Sequence, residues 1–143
     1  MTNNFINDKK IRDQIVYYIN DLFKEVNKKI ILKYFNNLNS NDISTKTSDD
    51  DFVSIADKKS EELICKKLLG FLNVKKFIGE ESSYLNNKQY ITLLNEPLVW
   101  VVDPIDGTKN YINGKDTFCS MISLVSFSIP IATFIYYPLK NIY

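Results

Sequence analysis

Histidine is missing from all 143 residues. That absence removes every chemistry that needs an imidazole as base or nucleophile, namely Ser-His-Asp and Cys-His catalysis and the histidine phosphatases. Cysteine is nearly missing as well. Cys65 and Cys119 stand far apart and form no CxxC pair, so with no histidine the chain offers no zinc-site spacing. They read as two buried thiols of a reducing compartment, and a cytoplasmic location is the default expectation. Charge of one sign is not in excess either. Eighteen basic and seventeen acidic side chains leave a net charge of +1, which supplies no concentrated basic face for nucleic acid. The N-terminus, MTNNFINDKKIRDQ, has no apolar core behind a basic start and so is no secretory signal.

Long hydrophobic runs are also scarce, with one exception. Residues 117–139 contain no charge and are long enough to cross a bilayer. Four serines, Pro130 and Pro138 interrupt that run. Two buried strands with a turn at Ser128-Ile129-Pro130 explain it better than a membrane helix, so no membrane partner is expected.

At 143 residues the chain has the length of one domain. Ile11, Ile15, Tyr18/Ile19, Leu22, Val26 and Ile30 recur at steps of three or four. That stripe predicts a long helix over residues 10–35, its charged residues forming a solvated face. Residues 36–51 are rich in Asn, Ser, Thr and Asp and read as a loop or short hairpin. A second helix is expected from Ser54, where Ser54-x-x-Asp57 fits a capping box, to about Leu69 with Gly70 as its stop. Leu63, Ile64 and Leu68 suit its buried side.

The pattern then changes. Lys76-Phe77-Ile78 is a short strand candidate ahead of Gly79-Glu80-Glu81, and Tyr90-Ile91-Thr92-Leu93 is a weaker one. Leu98-Val99-Trp100-Val101-Val102 is apolar throughout, as for a strand buried on both faces. Two helices followed by several strands give a layered α+β arrangement, the helices packed on a mainly antiparallel sheet.

The chemistry is concentrated in Trp100-Val101-Val102-Asp103-Pro104-Ile105-Asp106-Gly107-Thr108-Lys109-Asn110-Tyr111. An apolar strand ends in the Asp103 carboxylate, and Pro104 is expected to help break the strand there. A tight turn can aim Asp103 and Asp106 at one point. Gly107 lets backbone approach a ligand closely, and a helix starting at Gly107-Thr108 would present free N–H groups to a phosphate. Each fragment also has an ordinary reading: Asp-Gly is a common turn dipeptide, Asp57 can serve only its capping box, and Glu80-Glu81 can be a solvated loop.

Taken whole, the run from Trp100 to Tyr111 resembles the signature of the inositol monophosphatase family, hydrophobic-Asp-Pro-Ile/Leu-Asp-Gly-Thr followed by an aromatic. Phe77-Ile78-Gly79-Glu80-Glu81-Ser82 is similar to the family's Gly-Glu-Glu motif. Asp51-Phe52-Val53-Ser54-Ile55-Ala56-Asp57 is similar to its Asp-hydrophobic-Val-Thr-x-x-Asp segment, with Lys46 ahead of it. The resemblance implies the N-terminal part of an αβαβα fold, incomplete at its C-terminal side, as one domain over residues 1–143. It implies that Glu80, Asp103, the carbonyl of Ile105 and Asp106 bind Mg2+. Asp57 would hydrogen-bond the metal's water shell or the site's threonine. Thr108 and Glu80 would hold the attacking water, and the N–H groups of Gly107 and Thr108 would seat the phosphate. Lys46 and Glu81 are further possible members.

The implied activity is Mg2+-dependent hydrolysis of inositol phosphate or another small sugar or alcohol phosphate, with direct attack of water on phosphorus. Such chemistry needs neither histidine nor a cysteine nucleophile. A 3′(2′),5′-bisphosphate nucleotidase and a non-catalytic metal-binding remnant are the alternatives. The family's further aspartate, in a Trp-Asp-x-Ala context, has no counterpart here, because Trp100 is the only tryptophan and no Trp-Asp pair occurs. Weak or no activity of these residues alone is therefore expected, with a homodimer or a complementing C-terminal half as possible partners.

Overall fold

The computed structural model describes residues 8–83, 92–93 and 95–143. Helix α1, Lys9–Val26, begins where the Asp8 carboxylate accepts from the N–H groups of Lys10 and Ile11. It continues through a π-helical turn, Asn27–Ile31, and a last turn, Leu32–Tyr34, so the predicted long helix is present. Its apolar stripe buries Ile15, Ile19, Leu22, Phe23, Val26, Ile30 and Ile31. In the π-helical turn the buried Asn27 side chain donates to the Tyr136 hydroxyl and the Pro138 carbonyl, each at 3.2 Å. That ties the helix to the far end of the sheet.

A short antiparallel hairpin follows, β1 (Ile43–Thr45) with β2 (Phe52–Ser54). Helix α2, Ile55–Leu68, starts at Ser54 in the expected capping box and ends at Leu69, after which Gly70 takes a left-handed φ of 92°. Ile64 and Leu68 are fully buried, whereas Leu63 only packs against the edge of the core. The main sheet has the order β3-β4-β5-β6, built from Phe77–Gly79, Val99–Asp106, Cys119–Ser126 and Ile129–Tyr136. β3 and β4 are parallel; the other two pairings are antiparallel. Short helices follow two of these strands, α3 (Glu80–Ser83) after β3 and α4 (Thr108–Ile112) after β4. The layered α+β expectation is met.

Several local expectations change. Pro104 does not break the strand: β4 runs on to Asp106 through a register shift, with Asp103 opposite Met121 and Asp106 opposite Cys119. Three steps on β4 meet two on β5, which is a one-residue bulge, and a bulge tolerates a proline without an N–H. The hairpin turn lies at Phe127 and Ser128, both at positive φ, between the paired Ser126 and Ile129, rather than at Ser128-Ile129-Pro130. Two residues at positive φ match the right-handed twist of the flanking strands, which moves the turn forward and leaves Pro130 inside edge strand β6. The cysteines are free but half-buried rather than buried. Of the weak strand candidate at residues 90–93, Thr92 and Leu93 are helical rather than extended, and the rest lies outside the described residues.

The uncharged run of residues 117–139 is thus β5, the turn and β6, and among the described residues no helix is long and apolar enough to cross a membrane. One main core holds the sheet to α1 and α2. Phe23 stacks on Tyr136 with centroids 5.2 Å apart, and Tyr111 meets Phe118 edge-on at 5.0 Å. The Tyr111 hydroxyl donates to the Ile31 carbonyl at 2.7 Å, which anchors α4 to the end of the long helix. Trp100 is fully buried near the start of β4, and a large apolar side chain contributes roughly 1.5–3 kcal/mol by leaving water.

Candidate active site

The bulge in β4 explains how Asp103 and Asp106 come to act together. Side chains alternate along a strand, so residues three apart point to opposite faces. One extra residue resets that phase. Ile105 turns fully into the core, and the Asp103 carboxyl lies within electrostatic reach of Asp106 as well as Glu80 and Asp57. The chain then turns at Gly107, with φ 91°, where a Cβ would come within 3.0 Å of the Thr117 carbonyl. Glycine is required there on both counts.

Burial first, then the Glu80 charge and a hydrogen bond between the two carboxyl groups, push the Asp103 carboxyl up to about 8; Asp106 and Asp57 add to the shift. One of its oxygens, Oδ1, is buried with no hydrogen-bond partner. An unpartnered buried carboxylate oxygen is costly unless something positive or protic meets it.

Helix α2 supplies the next group. Asp57 is fully buried. Its Oδ2 accepts from the Ser54 N–H at 2.8 Å and the Ser54 hydroxyl at 2.5 Å, while its Oδ1 accepts from the Thr108 hydroxyl at 2.9 Å. The two readings weighed from the sequence are thus both realised: Asp57 caps its own helix and reaches the threonine of the long motif. Burial raises its pKa against the opposing pull of the Ser54 and Thr108 hydrogen bonds. The Thr108 hydroxyl also lies 3.0 Å from the Ile105 carbonyl.

Lys46, just after β1, lies between the two glutamates. Its Nζ is 2.8 Å from Glu80 Oε1 and 2.8 Å from Glu81 Oε1, and the side chain is 6% exposed. Burial alone would push this ammonium down, but hydrogen bonds and charge from Glu80 and Glu81 outweigh it and hold the pKa above the ordinary lysine value. Glu81 is pushed up to about 7, by burial first, with Asp57 and Glu80 adding and Lys46 opposing. The structure therefore brings Lys46, Asp57, Glu80, Glu81, Asp103, Asp106 and Thr108 to one end of the sheet.

Gathering is not the same as closing on one point. Among the described residues no group of three or more Asp, Glu, Cys or His side chains is arranged to hold a single ion. The physical reason is visible in the contacts: Glu80 is drawn to Lys46, and neighbouring carboxylates repel one another. The donor set nevertheless fits a hard divalent cation. It consists of carboxylate and carbonyl oxygens, one of them buried and unpartnered, which suits Mg2+ and not a soft metal.

Two neighbours of the site went unread in the sequence. Cys119 donates weakly to Asp106 Oδ2 at 3.8 Å, and burial followed by the Asp106 and Asp103 charges pushes the thiol up to about 11. Glu61, one helical turn after Asp57, is 5% exposed and accepts from the N–H groups of Glu81 at 2.7 Å and Ser82 at 2.9 Å. The spacing of Asp57 and Glu61 on one face of α2 was the available signal; its partners are backbone groups that no side-chain motif displays.

The carboxylate cluster at the end of the mixed sheet includes a threonine hydrogen-bonded to a helix-capping aspartate. The sequence comparisons are specific: residues 13–143 match the inositol monophosphatase family, and the chain belongs to it. A fructose-1,6-bisphosphatase/inositol-1-monophosphatase of Aquifex aeolicus is 39% identical over 88 residues, 62% of this chain and 31% of that protein. Protein qutG of Emericella nidulans is 31% identical over 130 residues, 90% of this chain and 39% of that protein. The IMPase of Thermotoga maritima superposes with a TM-score of 0.73 at 19% identity, over 90% of this chain and 46% of that chain, a likeness of fold. The chain thus spans less than half the length of the relatives it matches.

Proposed function

We propose that this chain carries the Mg2+ and phosphate site of a phosphomonoester hydrolase acting on a small polyol or sugar phosphate. The observation that carries the reading is the buried, unpartnered Oδ1 of Asp103, set beside Glu80 and Asp106 and next to the Asp57–Thr108 pair. Family membership and the name of the Aquifex relative support the substrate class.

Glu80, Asp103, Asp106 and the Ile105 carbonyl are the residues that would hold the metal. Bound there, Mg2+ supplies charge neutralisation for a phosphate dianion and acidifies water at neutral pH. The protein's own part begins at Thr108. With its proton committed to Asp57 Oδ1, the hydroxyl oxygen keeps its lone pairs for a water proton and so orients that water's own lone pair outward. Glu80 would take the water's other proton, and the departing alcohol oxygen would receive a proton in turn. The N–H groups of Gly107 and Thr108, at the turn where the Cβ-free backbone can approach closely, seat the phosphate. Attack is direct, with no covalent intermediate on the protein; alcohol and inorganic phosphate leave.

With Glu80 engaged by Lys46, weak Mg2+ binding and weak or no turnover are expected of these residues alone. The test is calorimetry with MgCl2 on the purified chain, together with phosphate release from inositol 1-phosphate, fructose 1,6-bisphosphate and a nucleotide 2′-phosphate. A saturable heat that disappears in Asp103→Asn supports the reading. No saturable heat in the unsubstituted chain would sink it.

A further inference from the structure

Helix α3 holds Glu80 and Glu81, but it is only four residues long, Glu80–Ser83. A helix that short has too few internal hydrogen bonds to fix its own orientation. Something else must aim Glu80, and the structure shows what does. The Glu61 carboxylate, 5% exposed, reaches from α2 and takes the N–H of Glu81 on Oε2 and the N–H of Ser82 on Oε1. These are first-turn N–H groups that the helix cannot satisfy itself. Both carboxylate oxygens are used, so α3 is held in rotation as well as in place.

Gly79 makes this possible. A Cβ on that residue would collide with the Glu61 carboxyl group, so the residue before Glu80 must lack one for Glu61 to reach the helix. Gly79 is also the last residue of β3, paired with Val102 next to Asp103. Glu61 itself lies four residues after Asp57, whose Oδ1 holds Thr108. One rigid helix thus carries two carboxylates one turn apart, each fixing a different short helix at the site: Asp57 holds α4 and Glu61 holds α3.

Resting on the metal-site reading above, we infer that Glu61 is a positioning residue for the metal site, holding Glu80 toward Asp103 through the backbone of α3 without touching substrate or metal. Second-layer groups of this kind typically change metal affinity about 10- to 100-fold when removed. The role differs from that of a simple helix cap. A cap contributes to unfolding stability alone, whereas an aiming group changes how well folded protein binds the cation.

The test is calorimetric titration with MnCl2 at a temperature well below unfolding, for the unsubstituted chain, Glu61→Ala, Glu61→Gln and, as control, the exposed neighbour Glu62→Ala. Amide hydrogen exchange of Glu81 and Ser82 is followed in metal-free protein. Glu61→Ala is expected to weaken Mn2+ binding about 10- to 100-fold and to speed exchange at both amides. Glu61→Gln, which keeps one accepting oxygen and the side-chain volume, should fall between, and Glu62→Ala should match the unsubstituted chain. Should Glu61→Ala fail to fold, the Gln variant is read by the same two measurements. Unchanged Mn2+ affinity in a folded Glu61 variant overturns the inference while leaving the metal site standing. Absence of Mn2+ binding in the unsubstituted chain overturns both, and is distinguished by that first titration.

Discussion

Asp57 and Thr108 lie 51 residues apart in sequence and share a 2.9 Å hydrogen bond between a fully buried carboxylate and a hydroxyl. The other oxygen of that carboxylate is held by Ser54 through its N–H and its hydroxyl. The start of α2 and the start of α4 are thereby fastened through one side chain. Asp57→Ala should cost about 2–3 kcal/mol, as the sum of a lost helix cap and an unsatisfied buried hydroxyl. Urea unfolding measures this. Thr108→Val keeps the cap and should cost less, so a larger loss for Thr108→Val than for Asp57→Ala would contradict the assignment.

Gly107 offers a cleaner test of local backbone. Its φ of 91° disfavours any L side chain, and a Cβ there would meet the Thr117 carbonyl at 3.0 Å. Gly107→Ala should destabilise the chain by about 1–3 kcal/mol. Gly70→Ala is the informative comparison. It shares the positive φ, at 92°, but a Cβ there meets nothing within 4 Å. The difference between the two variants isolates the contact with Thr117, and equal losses would show that the close approach costs nothing.

How far the sequence could be read depended on whether the relevant partner was a side chain in a pattern. The long apolar stripe and the Ser54-x-x-Asp57 box announced α1 and α2 with nearly correct ends, because both are local signals. The resemblance placed Glu80, Asp103, Asp106 and Thr108 together, and Asp103 does feel Glu80 and Asp106 while Thr108 bonds Asp57. The β4 bulge was not legible, since it is decided by pairing with Cys119 on another strand. Glu61 was missed because its partners are two backbone N–H groups twenty residues away. Lys46 could be placed near the site by resemblance, but its position between Glu80 and Glu81 depends on where the β1–β2 hairpin docks, a tertiary matter.

The metal-free chain should lose stability as pH rises from about 4 to about 8, since ordinary carboxyl groups titrate near 4 in an unfolded chain. The sign follows from two shifts: Asp103 is pushed up to about 8 and Glu81 to about 7. Across that window the folded state keeps protons that the unfolded state has released, so raising the pH favours unfolding. Below about 4 both states carry these protons and the effect vanishes. Thermal unfolding in EDTA at pH 6 and pH 8 should give the lower midpoint at pH 8, and Asp103→Asn should flatten the difference. A midpoint that rises with pH in the unsubstituted chain would mean that Asp103 is ionised throughout. Added Mg2+ should stabilise more at the higher pH, because there fewer protons compete for the same oxygens.

Lys46 gives the sharpest separation between a structural ion pair and a metal site. Its ammonium, on a side chain that is 6% exposed, pairs with two glutamates whose side chains differ in exposure, 41% for Glu80 and 8% for Glu81. In Lys46→Met, Glu80 can turn into solvent, whereas Glu81 is left buried and takes up a proton. The loss should therefore fall short of the 3–5 kcal/mol typical of a fully buried broken pair, at about 1–3 kcal/mol. Divalent cation should restore part of it, since a cation near Glu80 and Asp103 supplies the positive charge that the lysine no longer does. Thermal unfolding with EDTA and with millimolar MgCl2 reads both effects. Mg2+ is expected to raise the midpoint of Lys46→Met more than that of the unsubstituted chain. Lys29→Met breaks only the exposed pair with Glu25 and should change neither stability, beyond about 0.5 kcal/mol, nor the response to Mg2+. An equal Mg2+ response in all three proteins would show that Lys46 and the cation do not share a site, and would leave the lysine as a purely structural tie between β1 and α3.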